Sequence, residues 1–218
     1  SVNGNNLKNL EISGFENLSS LNLDASNLTD TSKIKYNTLP NLKRLQMDFD
    51  EIGDVDISAL EDLEIFKVKL PKLSTLKMPE QSKIKELELN CSNITEAVAN
   101  EIYTLKELEK MNITCDSIFD FDTSIQSGEE VFFPKLEELS ISTNNYSSTE
   151  MIENLKIADL GSLKKLNLNC SNIKNLKLAN LEELIELYVN CSNLENWDTV
   201  SIEKSKKLEK LFIDCGGL

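Results

Sequence analysis

The chain repeats one pattern of apolar and polar positions along nearly its whole length. When the first leucine of each unit is position 1, apolar side chains return at positions 4, 6, 8 and 11, as in the run from Leu163 to Ile173. Positions 4, 6 and 8 alternate with polar residues, which is the period of a β-strand with one buried face. A shorter apolar pair, such as Leu76 and Met78, often follows. The pattern predicts one main strand in each unit and a second segment opposite to it.

Nine copies of this unit align on the residue at position 4. The anchors are Leu21, Leu45, Phe66, Leu87, Met111, Leu139, Leu166, Leu187 and Leu211. The steps between them range from 21 to 28 residues, and a tenth, incomplete copy is expected at Leu7, Leu10 and Ile12. Because so short a unit cannot bury its own apolar face, neighbouring copies must stack into a solenoid. We therefore expect residues 1–218 to form one repeat domain of about nine to ten units.

The repeated core reads L-x-x-L-x-L, and the tetrapeptide NCSN follows it at Asn90–Asn93, Asn169–Asn172 and Asn190–Asn193. This pattern resembles the leucine-rich repeat family, and its short steps are similar to the short-repeat bacterial types that include internalins. The resemblance implies an α/β fold: a right-handed solenoid with a parallel β-sheet on the concave face and short helices or extended segments on the convex face. It also implies that the concave sheet binds other proteins. The family usually has Asn or Cys at position 9, whereas this chain has Cys at position 8 and Asn at position 10.

The longer steps leave room for helices. Thr95–Leu105 begins with a capping threonine and has helical apolar spacing, and Ser148–Leu155 is similar, so the sequence predicts a helix in each. Neither end of the chain shows a polar capping unit. We expect the chain to be a segment of a longer protein.

All five cysteines fall at position 8 of their repeats. They are Cys91, Cys115, Cys170, Cys191 and Cys215. Most other residues at position 8 are apolar, so we expect these thiols to be buried core side chains and not reactive groups. An odd number of cysteines also excludes a complete disulfide framework within one copy of the chain.

The charge balance limits the classes of function. Asp and Glu number 37 against 23 Lys and Arg, which gives a net charge of −14, and there is no histidine. Nucleic acids and anionic membranes favour a basic surface. The absence of histidine removes serine–histidine catalysis and most zinc sites. The sequence shows no phosphate-binding glycine loop and no apolar run long enough to span a bilayer. We therefore predict a protein that is not an enzyme, with no cofactor, no metal, no nucleic-acid partner and no membrane insertion.

Acidic residues are concentrated in two stretches, Asp48–Glu64 and Asp116–Glu130. The second contains Asp120, Asp122, Ser124 and Gln126 at the spacing that begins a calcium loop. Ile125 stands where an EF-hand needs glycine and Val131 where it needs glutamate, so the EF-hand interpretation fails. Solvated acidic loops are the default interpretation, and an irregular Ca²⁺ site stays open.

Positions 5 and 7 of each strand point away from the predicted core. Most of these residues are amides or hydroxyls, but Tyr188 and Phe212 occupy the same column in adjacent copies. Neighbouring exposed aromatics among polar residues are typical of binding hot spots. An alternative is that Phe212 packs under a further repeat near the chain end. The residues expected to bind a partner are Asn167, Asn169, Tyr188, Asn190, Phe212 and Asp214.

The leading hypothesis is a module that binds a protein partner through the concave sheet. One alternative is a structural or adhesive cell-surface segment that contacts a host or matrix, with carbohydrate possible but not indicated. Another is the substrate-receptor domain of an intracellular adaptor. Localisation stays open between an intracellular protein and a bacterial surface or secreted protein. Unpaired buried cysteines suit a reducing setting. The sequons Asn90, Asn169 and Asn190 would place glycans on the proposed binding face, which favours an intracellular or bacterial origin.

Overall fold

In the computed structural model, the chain is a parallel-strand β-solenoid with few helices. The structure describes residues 1–4, 7–118, 121–125, 130–143, 152–171, 173–194 and 200–216. The chain forms two compact units, Ser1–Leu105 and Lys106–Leu218. Each of the nine predicted anchors lies in a strand of the long sheet of its unit, which confirms the strand predicted for every repeat.

The N-terminal unit has a long sheet and a second wall of short strands. Its long sheet contains, in order, β1 (Val2–Asn3), β2 (Ser20–Asp24), β3 (Arg44–Asp48), β5 (Ile65–Lys69) and β7 (Glu86–Asn90). The second wall contains β4 (Asp54–Asp56), which pairs in parallel with β6 (Thr75–Lys77), and an isolated bridge joins Ile12 to Ile34. A short strand β8 (Asn93–Ile94) also lies in this unit.

Neighbouring strands of this long sheet pair in register, so equal repeat positions lie side by side. Leu21 pairs with Leu45, Leu45 with Phe66, and Phe66 with Leu87. All four are buried. The repeated apolar columns thereby form the layer of core between the two walls, and stacking buries what one unit alone would leave in water.

The helix predicted near residues 95–105 is confirmed. Helix α1 spans Glu96–Tyr103, and the Thr95 hydroxyl accepts a hydrogen bond from the Val98 backbone N–H at 3.3 Å. This cap satisfies one of the donors that a helix start leaves free. Val98 and Ile102 are buried, so local capping and tertiary packing favour the same structure.

The tenth copy lies in a different register from the predicted one. Val2 pairs with Leu23, which places Val2 at position 6 and Leu7 at position 11 of the first copy. The Gly4 backbone N–H continues the ladder by donating to the Asp24 carbonyl at 3.0 Å. Ile12 belongs to the second wall through its bridge to Ile34. The apolar spacing at Leu7 to Ile12 imitates the strand motif, but backbone pairing to the next repeat decides the register.

The C-terminal unit has the same two-walled plan. Its long sheet contains, in order, β9 (Lys110–Cys115), β12 (Glu138–Thr143), β14 (Lys165–Asn169), β16 (Glu186–Asn190) and β17 (Lys210–Asp214). Its second wall is the parallel sheet of β11 (Phe121–Asp122), β13 (Ile152–Ala158) and β15 (Ile173–Ala179), and Leu178 bridges to Val200. The short strand β10 (Ser117–Ile118) precedes β11.

The helix predicted at Ser148–Leu155 is wrong where the structure describes it. Residues 148–151 lie outside the described part of the chain, and the segment from Ile152 onward is strand β13. Strand β13 pairs in register with β15, for example Leu155 with Leu176. Local helix signals are weak, and a full ladder of backbone hydrogen bonds to the neighbouring repeat outweighs them.

The last strand differs from the others in burial. Leu211 and Ile213 stand at core positions 4 and 6, yet they are 52% and 39% exposed. Among the described strands, β17 pairs only with β16, so its second edge is open. The core positions of β17 are exposed because no described strand completes the layer on its second side.

Candidate functional site

The two aromatic residues singled out in the sequence form a stacked pair on the outward face of the C-terminal long sheet. Tyr188 and Phe212 pair in register between β16 and β17, and their ring centroids are 4.5 Å apart with an interplanar angle of 6°. The rings stay 38% and 47% exposed. The structure therefore brings together the residues that sequence reasoning placed in one column.

The exposure of these rings has two different origins. Tyr188 lies on β16, which has a paired strand on each side, so its exposure is a property of the outward face. Phe212 lies on β17, whose second edge no described strand covers. The prediction of a hot spot therefore rests most firmly on Tyr188. The alternative, in which a further repeat covers part of Phe212, stays open.

Polar residues continue from the aromatic pair along the same strands. Asn167 pairs with Tyr188, and Asn169 and Asn190 pair with one another in the adjoining column, followed by Asp214. No hydrogen bond to another described residue holds the side chains of Asn167, Asn169 or Asn190. Amide groups presented in this way can donate and accept hydrogen bonds when a partner binds.

A column of charged residues borders the aromatic and amide columns. It occupies position 3 of the five strands and alternates in sign: Lys110, Glu138, Lys165, Glu186 and Lys210. The Glu138 carboxylate lies 3.2 Å from the Lys110 Nζ atom and 3.3 Å from the Lys165 Nζ atom. The Lys210 Nζ atom lies 2.8 Å from Glu186. These in-register ion pairs form what we call the charge ladder.

The charge ladder holds its carboxylates in the ionised form. A hydrogen bond from Lys110 is the main cause that lowers the pKa of Glu138, and a hydrogen bond from Lys210 lowers the pKa of Glu186. The same contact with Glu186 raises the pKa of Lys210. Glu138, Glu186 and Lys210 are therefore charged at neutral pH, and each of these three charges already has a partner within the ladder.

Sequence reasoning missed this ladder, although a signal for it was present. Position 3 has the same parity as positions 5 and 7, so its side chains point to the same outward face. The alternation of lysine and glutamate at this position across five strands could have been read from the aligned repeats. We call the side chains at positions 3, 5 and 7 of β9, β12, β14, β16 and β17 the C-terminal open face.

A groove of about 540 Å³ lies on this face. Its lining includes the Tyr188–Phe212 pair, Asn167, and the charge ladder. The remaining predicted site residues, Asn169, Asn190 and Asp214, lie in the adjoining position 7 column and do not line it. The predicted residues therefore form one continuous surface. The groove lies along positions 3 and 5 of this surface, and position 7 lies beside the groove.

The cysteines lie where the sequence placed them, on the inward side at position 8. Cys91, Cys115, Cys170 and Cys191 are buried, and Cys215 is half-buried. Burial raises the pKa of the Cys191 thiol to about 12 and raises that of Cys170 well above its ordinary value. Such thiols stay protonated at neutral pH and are poor nucleophiles.

The structure describes only part of the acidic stretch considered for calcium. Asp120 and Gln126 lie outside the described residues. Partial burial opposes ionisation of Asp122, yet hydrogen bonds from Lys156 and Ser124 lower its pKa on balance. The Asp122 carboxylate is therefore already neutralised by a lysine at 2.8 Å.

The described residues include neither a cluster of metal-binding side chains nor a helix that could cross a membrane. They contain no group of three or more cysteine, aspartate or glutamate side chains placed to hold a metal ion. They also contain no helix with the length and apolar character needed to cross a membrane.

Comparison of the chain with models of known protein families and with curated proteins gave no match.

Proposed function

We propose that this chain is a non-catalytic module of the leucine-rich repeat type that binds a protein partner through its C-terminal open face. The single observation that supports this proposal best is the stacked Tyr188–Phe212 pair, exposed in a groove beside amides that no described residue engages. Large rigid rings bury much area at low entropic cost, and they dominate the energetics of protein interfaces.

The electrostatics of the face favour a partner without strong net charge. Three lysines on the C-terminal open face balance three carboxylates, although the whole chain has a net charge of −14. Because ladder charges are paired with each other, they offer little attraction to a highly charged ligand. Their fixed, alternating charges lie along the border of the groove. Such charges determine the orientation of a bound partner more than they increase its affinity.

The family part of the proposal rests on the repeat geometry. Every repeat contributes one strand to a parallel sheet in register, and the short second wall carries few helices. The L-x-x-L-x-L motif supplies the inward side of the nine strands that contain an anchor, which is buried in all of them except the last strand, β17. This combination is what a short-repeat member of the family would need.

The test uses peptides as probes for the unidentified partner. A displayed library of random peptides that lack lysine and arginine is panned on the wild-type chain, and selected clones are measured against the double variant Y188A/F212A. The matched control is N22A/Q46A, which truncates the same position 5 column in the N-terminal unit. We expect selected clones to lose at least tenfold in affinity for Y188A/F212A and to bind the control normally.

Two outcomes would contradict this function. If clones bind Y188A/F212A as tightly as the wild type, the aromatic pair is not the binding site. If no peptide binds but an array of glycans does, the adhesive alternative replaces protein binding. Thermal melts of all three proteins establish that each variant is folded, so that loss of binding is not loss of structure.

A further inference from the structure

The N-terminal unit has a larger groove on its second wall, on a different surface from its long sheet. The groove has a volume of about 990 Å³ and lies between the segment Thr29–Asn37 and strand β4. On one side of it Ile34 bridges back to Ile12, and on the other β4 pairs with β6. The second wall is therefore interrupted between the first and second full repeats.

The interruption leaves one edge of β4 open. Toward β6, the Gly53 carbonyl accepts hydrogen bonds from the backbone N–H groups of Ser74 and Thr75, and the Ile57 N–H donates to Lys77 at 3.0 Å. Successive residues of a strand direct their backbone groups to opposite edges. The N–H and C=O groups of Asp54 and Asp56 therefore point toward the groove, and no described residue hydrogen-bonds them.

The side chains around this edge combine an apolar floor with a rim that is acidic on balance. Five carboxylates line the groove, on Asp30, Glu51, Asp54, Asp56 and Glu101, against the two lysines Lys35 and Lys77. Val55 and Ile34 are buried, whereas Asp54 and Asp56 expose their side chains on the outward face of the strand. Asp30, on the opposite side of the groove, is exposed as well. The alternation within β4 presents acid, apolar, acid to anything that pairs with it.

Two carboxylates of the rim, Asp30 and Asp56, are held in the ionised form. Hydrogen bonds from the backbone N–H and the hydroxyl of Ser32 lower the pKa of Asp30. The Ser58 hydroxyl and N–H do the same for the pKa of Asp56. The nearest lysine to Asp56 is Lys77, whose Nζ atom is 3.8 Å away and mostly exposed. Such an exposed pair contributes little and can exchange for a partner's cation.

We propose that this groove binds an extended basic peptide segment of a partner protein, which adds to β4 as a further parallel strand, in the direction in which β4 already pairs with β6. Main-chain groups of the peptide would bond Asp54 and Asp56, as in other cases of strand addition to an open sheet edge. Alternate Lys or Arg side chains would lie beside Asp54 and Asp56 on the outward face. Apolar side chains between them would pack against Val55 and Ile34. The acidic stretch at Asp48–Glu64 would thereby select the charge of the partner.

This interaction is independent of the one proposed for the C-terminal open face. All residues that line the groove belong to the N-terminal unit, and none lies in the C-terminal unit. Failure of one proposal therefore leaves the other intact.

The probe is a short synthetic peptide of alternating lysine and valine, because alternation places all lysines on one side of a strand. Binding to the full chain is measured by fluorescence anisotropy. The variant D54K/D56K reverses the charges on β4, and E61K/E80K makes the same change of charge at exposed positions that do not line the groove. We expect at least tenfold weaker binding to D54K/D56K and unchanged binding to E61K/E80K. Equal weakening in both variants would mean non-specific attraction and would overturn the proposal.

A second peptide separates strand addition from simple charge attraction. Alternating lysine and proline carries the same charge. In a parallel strand whose lysines lie opposite Asp54 and Asp56, the residues between the lysines direct their backbone N–H groups to β4, and proline has no N–H to donate. We expect this peptide to bind at least tenfold more weakly than the lysine–valine peptide. Hydrogen exchange at the Asp54 and Asp56 amides should slow when the lysine–valine peptide binds. Equal affinity of the two peptides, or unchanged exchange at both amides, would overturn the proposed strand addition.

Discussion

Two buried threonines in the C-terminal unit show that the same type of side chain can stabilise or destabilise a solenoid core. The Thr123 hydroxyl donates to the Ala158 carbonyl at 2.8 Å and accepts from the Ala158 N–H at 2.8 Å. The Thr143 hydroxyl is also buried, but no residue in the described part of the chain forms a hydrogen bond with it. It occupies position 8, between Cys115 and Cys170 in the neighbouring repeats.

We expect Thr143→Val to stabilise the protein and Thr123→Val to destabilise it. A buried polar group without a partner costs about 1–3 kcal/mol, so removing the Thr143 hydroxyl should raise the free energy of unfolding by about 1 kcal/mol. Removing the Thr123 hydroxyl leaves both Ala158 groups unpaired and should lower it by about 2 kcal/mol. Urea denaturation measures both changes in the free energy of unfolding, and its dependence on urea concentration (the m-value) should be the same in both variants and the wild type. A destabilised Thr143→Val variant would contradict this account.

The column of cysteines makes a second prediction at the residue scale. Thiol reagents attack the thiolate, and burial raises the pKa of Cys170, Cys191 and Cys215. Only Cys215 is half-buried rather than buried. With a colorimetric thiol reagent at pH 8, we expect one cysteine to react slowly in the folded protein and all five after unfolding. The variant C215S should show no reaction before unfolding; rapid labelling of any other cysteine would contradict the buried column.

At the scale of elements, two strands in the second wall of the C-terminal unit, β13 and β15, are each followed by a residue with left-handed backbone. Asp159 follows β13 with φ of 59°, and Asn180 follows β15 with φ of 54°. The Asn180 side-chain amide donates to the Asp159 carboxylate at 2.6 Å, and the Ile125 N–H donates to the other Asp159 oxygen at 3.0 Å. Asp and Asn tolerate this conformation better than most residues. The hydrogen bond between Asn180 and Asp159 therefore helps to fix the point at which both strands turn.

Substitutions at Asp159 should separate the contribution of its side-chain hydrogen bonds from that of its left-handed backbone. Asp159→Gly loses the hydrogen bonds but relieves the left-handed backbone, whereas Asp159→Ala loses both advantages. We expect Asp159→Ala to lower the free energy of unfolding by about 2–3 kcal/mol and Asp159→Gly to lower it by about 1 kcal/mol less than that. Chemical denaturation compares the two variants. If they are equally stable, backbone strain at this turn is not significant.

The two predicted helices show how far local sequence specifies an element. Thr95–Leu105 was correctly predicted because a capping threonine and a buried apolar stripe agree. In the second case, the described part of Ser148–Leu155 is a strand, because Ile152–Ala158 matches the length and apolar phase of Ile173–Ala179. Comparing the sequence of Ile152–Ala158 with that of Ile173–Ala179 in the next repeat would have indicated the strand. Examining each one alone could not.

At the scale of the whole molecule, ion pairs on the surface link neighbouring repeats. Lys43 with Glu64, Lys83 with Asp62 and Lys210 with Glu186 each join side chains one repeat apart. The lysine contacts lower the pKa of Asp62, Glu64 and Glu186. These side chains are exposed, so each pair contributes only modestly.

The same shifts predict how stability depends on pH. A carboxylate whose pKa is lowered by folding stabilises the protein above its unfolded pKa, near pH 4, and loses that contribution as the pH falls through its folded pKa. We therefore expect the free energy of unfolding to be nearly constant from pH 8 to pH 5 and to fall below about pH 4. Urea titrations at each pH measure it, and 1 M NaCl should reduce the difference. Equal stability at pH 3 and pH 6 would exclude a role for these pairs.

The sequence by itself determined the number of main strands, the residues that face inward at positions 4, 6 and 8, and the column shared by Tyr188 and Phe212. These follow from a period of two within each strand and a repeat that recurs along the chain, and both can be read without coordinates. Only the tertiary structure decided the register of the first copy, the strand at Ile152–Ala158, the charge ladder and the open edge of β4. Each of these depends on which backbone groups of one repeat meet the next, and pairing between repeats is not a property of any single segment.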